Sequence, residues 1–206
     1  ITEAHAQAAE AAPEQPLIPL EAMDGWRQMD DDGLDRVVGE YQRILRERKV
    51  SGARVNPLQL SRANGMREAY LAAATDAERA AVLAQDSAYK RAALEAIDGV
   101  IIDRHVPTET IAGWEELPTA DLEVTATEYR KVLDAHDRGF ELPANALSRA
   151  HGIREAYGAT KNEAERSAIL MRDRMYKEMA TRAIDRILAK RAGGSSASDY
   201  DTIDAP

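Results

Sequence analysis

Eleven residues are spelled almost identically at two places in the sequence, LSRANGMREAY from Leu60 and LSRAHGIREAY from Leu147, which lie 87 positions apart. The match extends outward on both sides, at a spacing of 88 before a one-residue deletion in a loop and of 87 after it. Self-similarity at a fixed spacing indicates a tandem duplication, and two copies of about 80 residues are each large enough for a small helical domain. The recurring residues outside the motif include Gly25-Trp26 with Gly113-Trp114, Glu40-Tyr41 with Glu128-Tyr129, Asp86 with Asp173, and Tyr89-Lys90 with Tyr176-Lys177.

Apolar residues recur at three- and four-residue spacing in both copies, which predicts amphipathic helices. Asn56-Pro57 and the capping box Thr75–Glu78 are typical helix starts. No stretch alternates at period two, so the sequence predicts an all-α fold, a tandem duplication of a three-helix unit in an elongated helical bundle. The predicted helices span about 32–49, 57–74 and 75–104 in the first copy, and about 120–137, 143–159 and 163–191 in the second.

Composition predicts how the chain is divided. Segments poor in apolar residues and rich in Ala, Gly, Ser and acids are expected to be flexible. The predicted parts are an acidic, Ala-rich flexible segment at 1–23, helical copies at 24–105 and 113–191 with a connector at 106–112, and a disordered acidic tail at 192–206.

The cellular setting is predicted from what the sequence lacks. There is no cysteine, hence no disulfide framework or thiolate metal site, and no apolar run long enough to cross a membrane. The first residues lack the cationic end and apolar stretch of a signal peptide. We therefore expect a cytoplasmic protein without membrane contact, and a start on Ile1 is expected for a piece of a longer chain.

The net charge of −9 is unevenly distributed. Residues 1–35 hold nine acids and one base, and the end from Ser195 adds three acids and no base. Residues 36–194 hold 24 acids and 26 bases and are close to neutral. The low pI therefore does not exclude an anionic partner for the middle of the chain.

Chemistry-bearing motifs are missing from the sequence. The four histidines are isolated and none recurs in the other copy, and no HExxH, GxSxG, P-loop or GxGxxG pattern occurs. No set of carboxylates and histidines has metal-ligand spacing. We therefore predict no catalytic residue, no cofactor and no metal, and hence no enzyme.

Charged residues recur on the inward faces of two predicted helices. Asp86 lies on the apolar stripe of the third helix and Arg67 on that of the second. An unpaired buried charge is costly, so we expect Arg67 to pair with Asp86, and Arg154 with Asp173 in the second copy. A structural role is favoured over a catalytic one for these residues.

Other recurring charges lie off the apolar stripes. Arg62 and Glu68 in the first motif, with Arg149 and Glu155 in the second, are candidate contacts for a partner, although a solvated helix face also accounts for them.

Three functions are consistent with these features, and one of them, an accessory domain of an enzyme without activity of its own, cannot be distinguished by sequence from the first below. The first is a non-catalytic protein-interaction or scaffold module within a larger multidomain protein, because stacked helical copies offer a long surface to partners. The alternative is DNA binding, because LSRAxGxREAY resembles a helix-turn-helix, with small residues leading to a glycine at the turn. Residues 161–191 add nine bases against five acids to this alternative.

Overall fold

The computed structural model of the chain describes residues 17–50 and 55–193. Within these ranges there is no strand, so the all-α prediction is confirmed. Four short 3-10 helices lie at Pro57–Gln59, Ala63–Gly65, Ala144–Ala146 and Ala150–Gly152. The α-helices are α1 (Leu20–Gln28), α2 (Asp31–Val50), α3 (Met66–Ala72), α4 (Asp76–His105), α5 (Thr108–Glu116), α6 (Thr119–Asp137), α7 (Ile153–Ala159) and α8 (Glu163–Arg191).

The helices α2, α4 and α8 begin where side chains satisfy their first N–H groups. The Asp30 carboxylate accepts the N–H of Gly33 at 2.8 Å ahead of α2. The predicted capping box is confirmed at α4, because the Glu78 N–H donates to Thr75 Oγ1 and the Thr75 N–H donates to Glu78. Asn162 caps α8 by accepting from the N–H of Ala164. These caps place the helix starts within about one residue of the predicted positions.

Two helices were not predicted. The nine-residue α1 and α5 follow Pro19 and Pro107, and each buries a tryptophan, Trp26 at 6% and Trp114 at 7% exposure. The helix α5 covers most of the predicted connector, and α1 begins inside the predicted flexible segment. The rest of the predicted flexible termini, 1–16 and 194–206, lies outside the described residues.

The predicted second helix of each copy is too long. Instead of one helix that begins at 57 or 143, the chain forms a 3-10 turn just before each motif, a second 3-10 turn within it, and then a seven-residue α-helix. The interruption is a pair of left-handed residues, Asn64 (φ 54°) with Gly65 (φ 65°), and His151 (φ 53°) with Gly152 (φ 64°). Left-handed backbone cannot continue a right-handed helix, so α3 and α7 begin only after these pairs.

The left-handed glycines should be sensitive to a side chain. We expect Gly152→Ala to lower the free energy of unfolding by about 1–2 kcal/mol, because an L-residue is strained there. Gly113→Ala is the matched control inside α5, where a Cβ meets nothing within 4 Å, and it should raise the free energy by about 0.5–1 kcal/mol. Urea unfolding measures both, and an equal effect of the two substitutions would contradict the strained backbone at Gly152.

The described chain divides into two compact units. The first unit comprises residues 17–29, 39–50 and 55–93, and its buried residues include Ile44, Leu60 and Met66. The second unit comprises residues 30–38 and 94–193, and there α5, α6 and α7 all contact α8. The boundary between these units runs within α2 and α4.

None of the helices among the described residues combines the length and the apolar character needed to cross a membrane.

Candidate functional site

A buried carboxylate anchors the motif in the first unit. Asp86 on α4 is fully buried, and its carboxylate accepts from Lys90 Nζ at 2.5 Å and lies 2.8 Å from Arg48 Nη1 of α2. Its other oxygen accepts the backbone N–H of Ser61 at 2.8 Å. We call Asp86, Lys90, Arg48 and Ser61 the Asp86 cluster. The cluster ties the segment before α3 to the middle of α4.

The second unit contains the corresponding group. Asp173 on α8 is fully buried, accepts from Lys177 Nζ at 2.7 and 2.5 Å, and accepts the Ser148 N–H at 2.8 Å. Lys177 Nζ also donates to Ser148 Oγ at 3.0 Å. His136 Nε2 lies 4.0 Å from Asp173 Oδ2. We call Asp173, Lys177, His136 and Ser148 the Asp173 cluster.

The prediction that Arg67 pairs with Asp86 is wrong. Arg67 Nη2 instead donates to the carbonyls of Leu58 at 2.9 Å and Leu60 at 3.0 Å. Lys90, one helical turn after Asp86, reaches the carboxylate directly. Arg67 donates to carbonyls of the irregular segment before α3.

The same correction applies in the second unit. Arg154 does not pair with Asp173 but donates to the carbonyls of Asn145 at 2.8 Å and Leu147 at 2.6 Å. Lys177, four residues after Asp173, is the side chain that sequence reasoning missed. Its signal was present, because the Asp–Lys spacing of four recurs in both copies.

A pair of tyrosines packs beside each cluster. Tyr41 and Tyr89 pack edge to face at 6.5 Å, and burial raises the pKa of both phenols. Lys90 Nζ lies 5.5 Å from the centre of the Tyr41 ring. Burial also lowers the pKa of Lys90 and of Lys177, although the hydrogen bond to each aspartate opposes this shift. Each buried aspartate is therefore paired with a lysine four residues later on its own helix.

The two clusters differ at one position. At the repeat spacing of 88, His136 corresponds to Arg48, and both side chains are 14% exposed. Arg48 is permanently charged and bonds to Asp86, whereas His136 Nε2 is buried without a hydrogen-bond partner. Burial lowers the pKa of His136, and Lys177 and Arg174 reinforce this while Asp173 and Asp137 oppose it. The Asp173 cluster therefore contains a neutral histidine where the Asp86 cluster contains a cation.

This difference predicts a pH-dependent stability of the second unit. Because the pKa of His136 is lower in the folded protein than in the unfolded chain, its contribution to stability decreases as the pH falls below about 6.5. We expect His136→Arg to reduce the loss of unfolding free energy between about pH 7.5 and about pH 5.5. The reciprocal Arg48→His should increase it. Urea unfolding at both pH values measures the effect, and identical pH slopes for wild type and His136→Arg would refute it.

The candidate partner contacts lie outside the clusters. Arg62 and Glu68 in the first motif and Arg149 and Glu155 in the second are all exposed. In each motif the buried aspartate holds the N–H of the residue just before the arginine, Ser61 or Ser148. The clusters thus fix the backbone that carries these exposed charges.

Most bases of residues 161–191 already have partners inside the chain. Asp98 binds Arg182 and Arg186, Asp137 binds Arg174, and Arg191 donates to the carbonyls of Glu115 and Leu117. Lys177 is buried in its cluster, and Arg166 donates to the carbonyl of Thr160. The excess of bases in this segment is therefore not an open cationic surface.

No group of three or more metal-ligating side chains occurs in the part of the chain that the structure describes. No protein-family model, no curated protein and no solved structure matches the chain. Function must therefore be inferred from the side chains themselves.

Proposed function

We propose that the protein is a non-catalytic helical interaction module that binds a protein partner through the surface of the first motif. We further propose that it arose by tandem duplication, acts within a larger multidomain protein, and works in the cytoplasm. The recurring caps, left-handed pairs and buried Asp–Lys clusters support the duplication. Two copies of one ancestral sequence are expected to share such structural features at corresponding positions.

The observation that carries the proposal is a pair of exposed leucines. Leu58, in Pro57–Gln59, is 73% exposed, and Leu71 on α3 is 65% exposed. Pro57–Gln59 packs against α3. The exposed Arg62 and Glu68 lie in the motif, between Leu58 and Leu71 in the sequence. Exposed apolar side chains together with charged ones occur at protein interfaces. We call Leu58, Leu71, Arg62 and Glu68 the first-motif surface.

The second motif lacks the leucines. Asn145 and Gly158 occupy the positions that correspond to Leu58 and Leu71. Both motifs keep the same backbone anchor, so the leucines are not needed for the local fold. A role in contact with a partner accounts for their exposure in the first motif.

DNA binding, the alternative, is supported less well. A phosphate-binding surface needs accessible cations, and most basic side chains of α8 are already bound by acids and carbonyls. The kink in each motif also puts only seven residues in the helix that would enter a groove.

The test is quantitative affinity capture from the source cells with three baits. These are the full chain, the Leu58→Asp/Leu71→Asp variant, and Val124→Asp as the matched control, because Val124 is a similarly exposed apolar residue (62%) on α6. We expect one protein set to be enriched by the wild type and by Val124→Asp but lost in the double variant. Direct titration of the purified partner should then show at least about a tenfold weaker affinity for the double variant.

The contrary outcomes are equally specific. The same proteins on all three baits would show that the first-motif surface does not bind them. A labelled DNA duplex provides the second arm. Binding that weakens steeply with salt and is lost in Arg62→Ala/Arg149→Ala would replace the protein-interaction proposal with the nucleic-acid alternative.

A further inference from the structure

A cavity of about 230 Å³ in the second unit has a basic lining. Arg104, His105, His151 and Arg172 contribute to its wall, with no acid among the lining residues. The buried Tyr176 also lines the cavity. Cavities for drug-sized ligands begin at about 300 Å³, so this one suits a single small anionic group.

One side of the cavity is fixed by a carboxylate outside it. Asp31 accepts from Arg104 Nη1 at 2.5 Å and lies 2.9 Å from His105 Nε2. Partial burial would raise the pKa of Asp31, but the hydrogen bonds from Arg104 and His105 hold it below its ordinary value. Asp31 therefore remains ionised and orients both basic side chains.

The other side of the cavity is held by the left-handed turn of the second motif. His151 Nε2 lies 3.0 Å from the carbonyl oxygen of His105, which can only accept, so this nitrogen carries the hydrogen. His151 Nδ1 is left for another partner, and it donates a hydrogen bond to an anion when the imidazole is protonated. Arg172 on α8 is exposed and has no hydrogen bond or ion pair with any described residue.

The first copy provides an internal comparison. At the repeat spacing, the positions of His151 and Arg172 are Asn64 and Gln85 in the first copy. Asn64 makes the equivalent bond, from Nδ2 to the carbonyl oxygen of Leu17 at 3.2 Å. The fold of the motif therefore requires neither the histidine nor the arginine, and their presence in the second copy calls for another explanation.

We propose that this cavity binds one phosphate group of a small phosphorylated molecule through Arg172, His151 and Arg104. Arginine matches the tetrahedral oxygens of phosphate with paired N–H donors. Asp31 balances the charge of Arg104, so Arg172 supplies the net positive charge that attracts the anion. This inference is independent of the protein-interaction proposal, which concerns the first unit.

The test is calorimetric titration of the full chain with inorganic phosphate and with glycerol 3-phosphate, at constant ionic strength. We expect saturable binding of at least one probe, weakened about tenfold or more in Arg172→Ala. Arg138→Ala is the matched control, because Arg138 is an exposed arginine of the same unit that pairs with Asp134, and it should bind like the wild type. Thermal unfolding without ligand should be unchanged in Arg172→Ala, since the side chain is exposed.

The two probes distinguish the sources of the phosphate group. Equal affinity would identify the phosphate alone as the ligand, and tighter binding of the ester would show that the attached body contributes. The proposal is overturned if neither probe saturates below about 10 mM, or if Arg172→Ala binds as well as the wild type. Equal binding of malonate would show a general anion site instead of a phosphate site.

Discussion

Lys177→Met should lower the free energy of unfolding by about 3–5 kcal/mol, the cost of leaving a buried charge without its partner. Asp173 would keep only the Ser148 N–H and a histidine 4.0 Å away. Lys90→Met, the matched substitution in the first unit, should cost only about 2 kcal/mol, because Asp86 keeps its bond to Arg48. Urea unfolding followed by far-UV circular dichroism measures both variants.

The pH dependence identifies the cause of that loss. A stranded buried carboxylate takes up a proton more readily than it does in the unfolded chain, so the folded variant binds more protons and gains stability as the pH falls. The deficit of Lys177→Met should therefore shrink toward about pH 5. Equal costs for the two lysine variants, or a deficit that does not change with pH, would mean that the Asp–Lys pairs do not behave as buried ion pairs.

Trp114→Ala should cost about 3–5 kcal/mol, the usual range for truncating a buried aromatic residue. Trp114 is only 7% exposed although it lies on α5, which covers much of the predicted connector. The large cost is expected because α5 contacts α8 and is bound at its end by Arg191, which donates to Glu115 and Leu117 carbonyls at 2.8 Å.

Phe140→Ala is the control for that experiment. Phe140 is the single phenylalanine and is 63% exposed, so its loss should change the free energy of unfolding by less than about 0.5 kcal/mol. Thermal and urea unfolding of the two variants separate a packed helix from a passive linker. A Trp114→Ala effect as small as that of Phe140→Ala would indicate that α5 is an unpacked connector.

The long helices could be predicted from sequence because their signals are long and redundant. Each of α2, α4, α6 and α8 carries several turns of apolar stripe, and α4 and α8 also have recognisable caps. The short α1 and α5 have about two and a half turns each, which is too few for a stripe to be distinguished from chance. Their burial depends on tertiary contacts that no local pattern encodes.

The candidate site was predicted only in part, for a related physical reason. Hydrophobic periodicity identifies which face of a helix is buried, and it correctly predicted that Asp86 and Asp173 face inward. It does not specify which cation reaches a carboxylate, because several candidates lie within reach. The choice of Lys90 over Arg67 followed from the left-handed residues at Asn64 and Gly65, which redirect the chain and bring Arg67 to the carbonyls of Leu58 and Leu60.

The division of α2 and α4 between the two compact units has a consequence for fragments and for ancestry. Leu34, Leu94 and Ile97 are fully buried and belong to the second unit, yet all three are encoded in the first sequence copy. A fragment ending near residue 105 would keep these residues but lose residues 106–193, the larger part of the unit to which they belong. Under the proposed duplication, an ancestor with a single copy would have lacked that part as well, and pairing with a second identical chain would have supplied it.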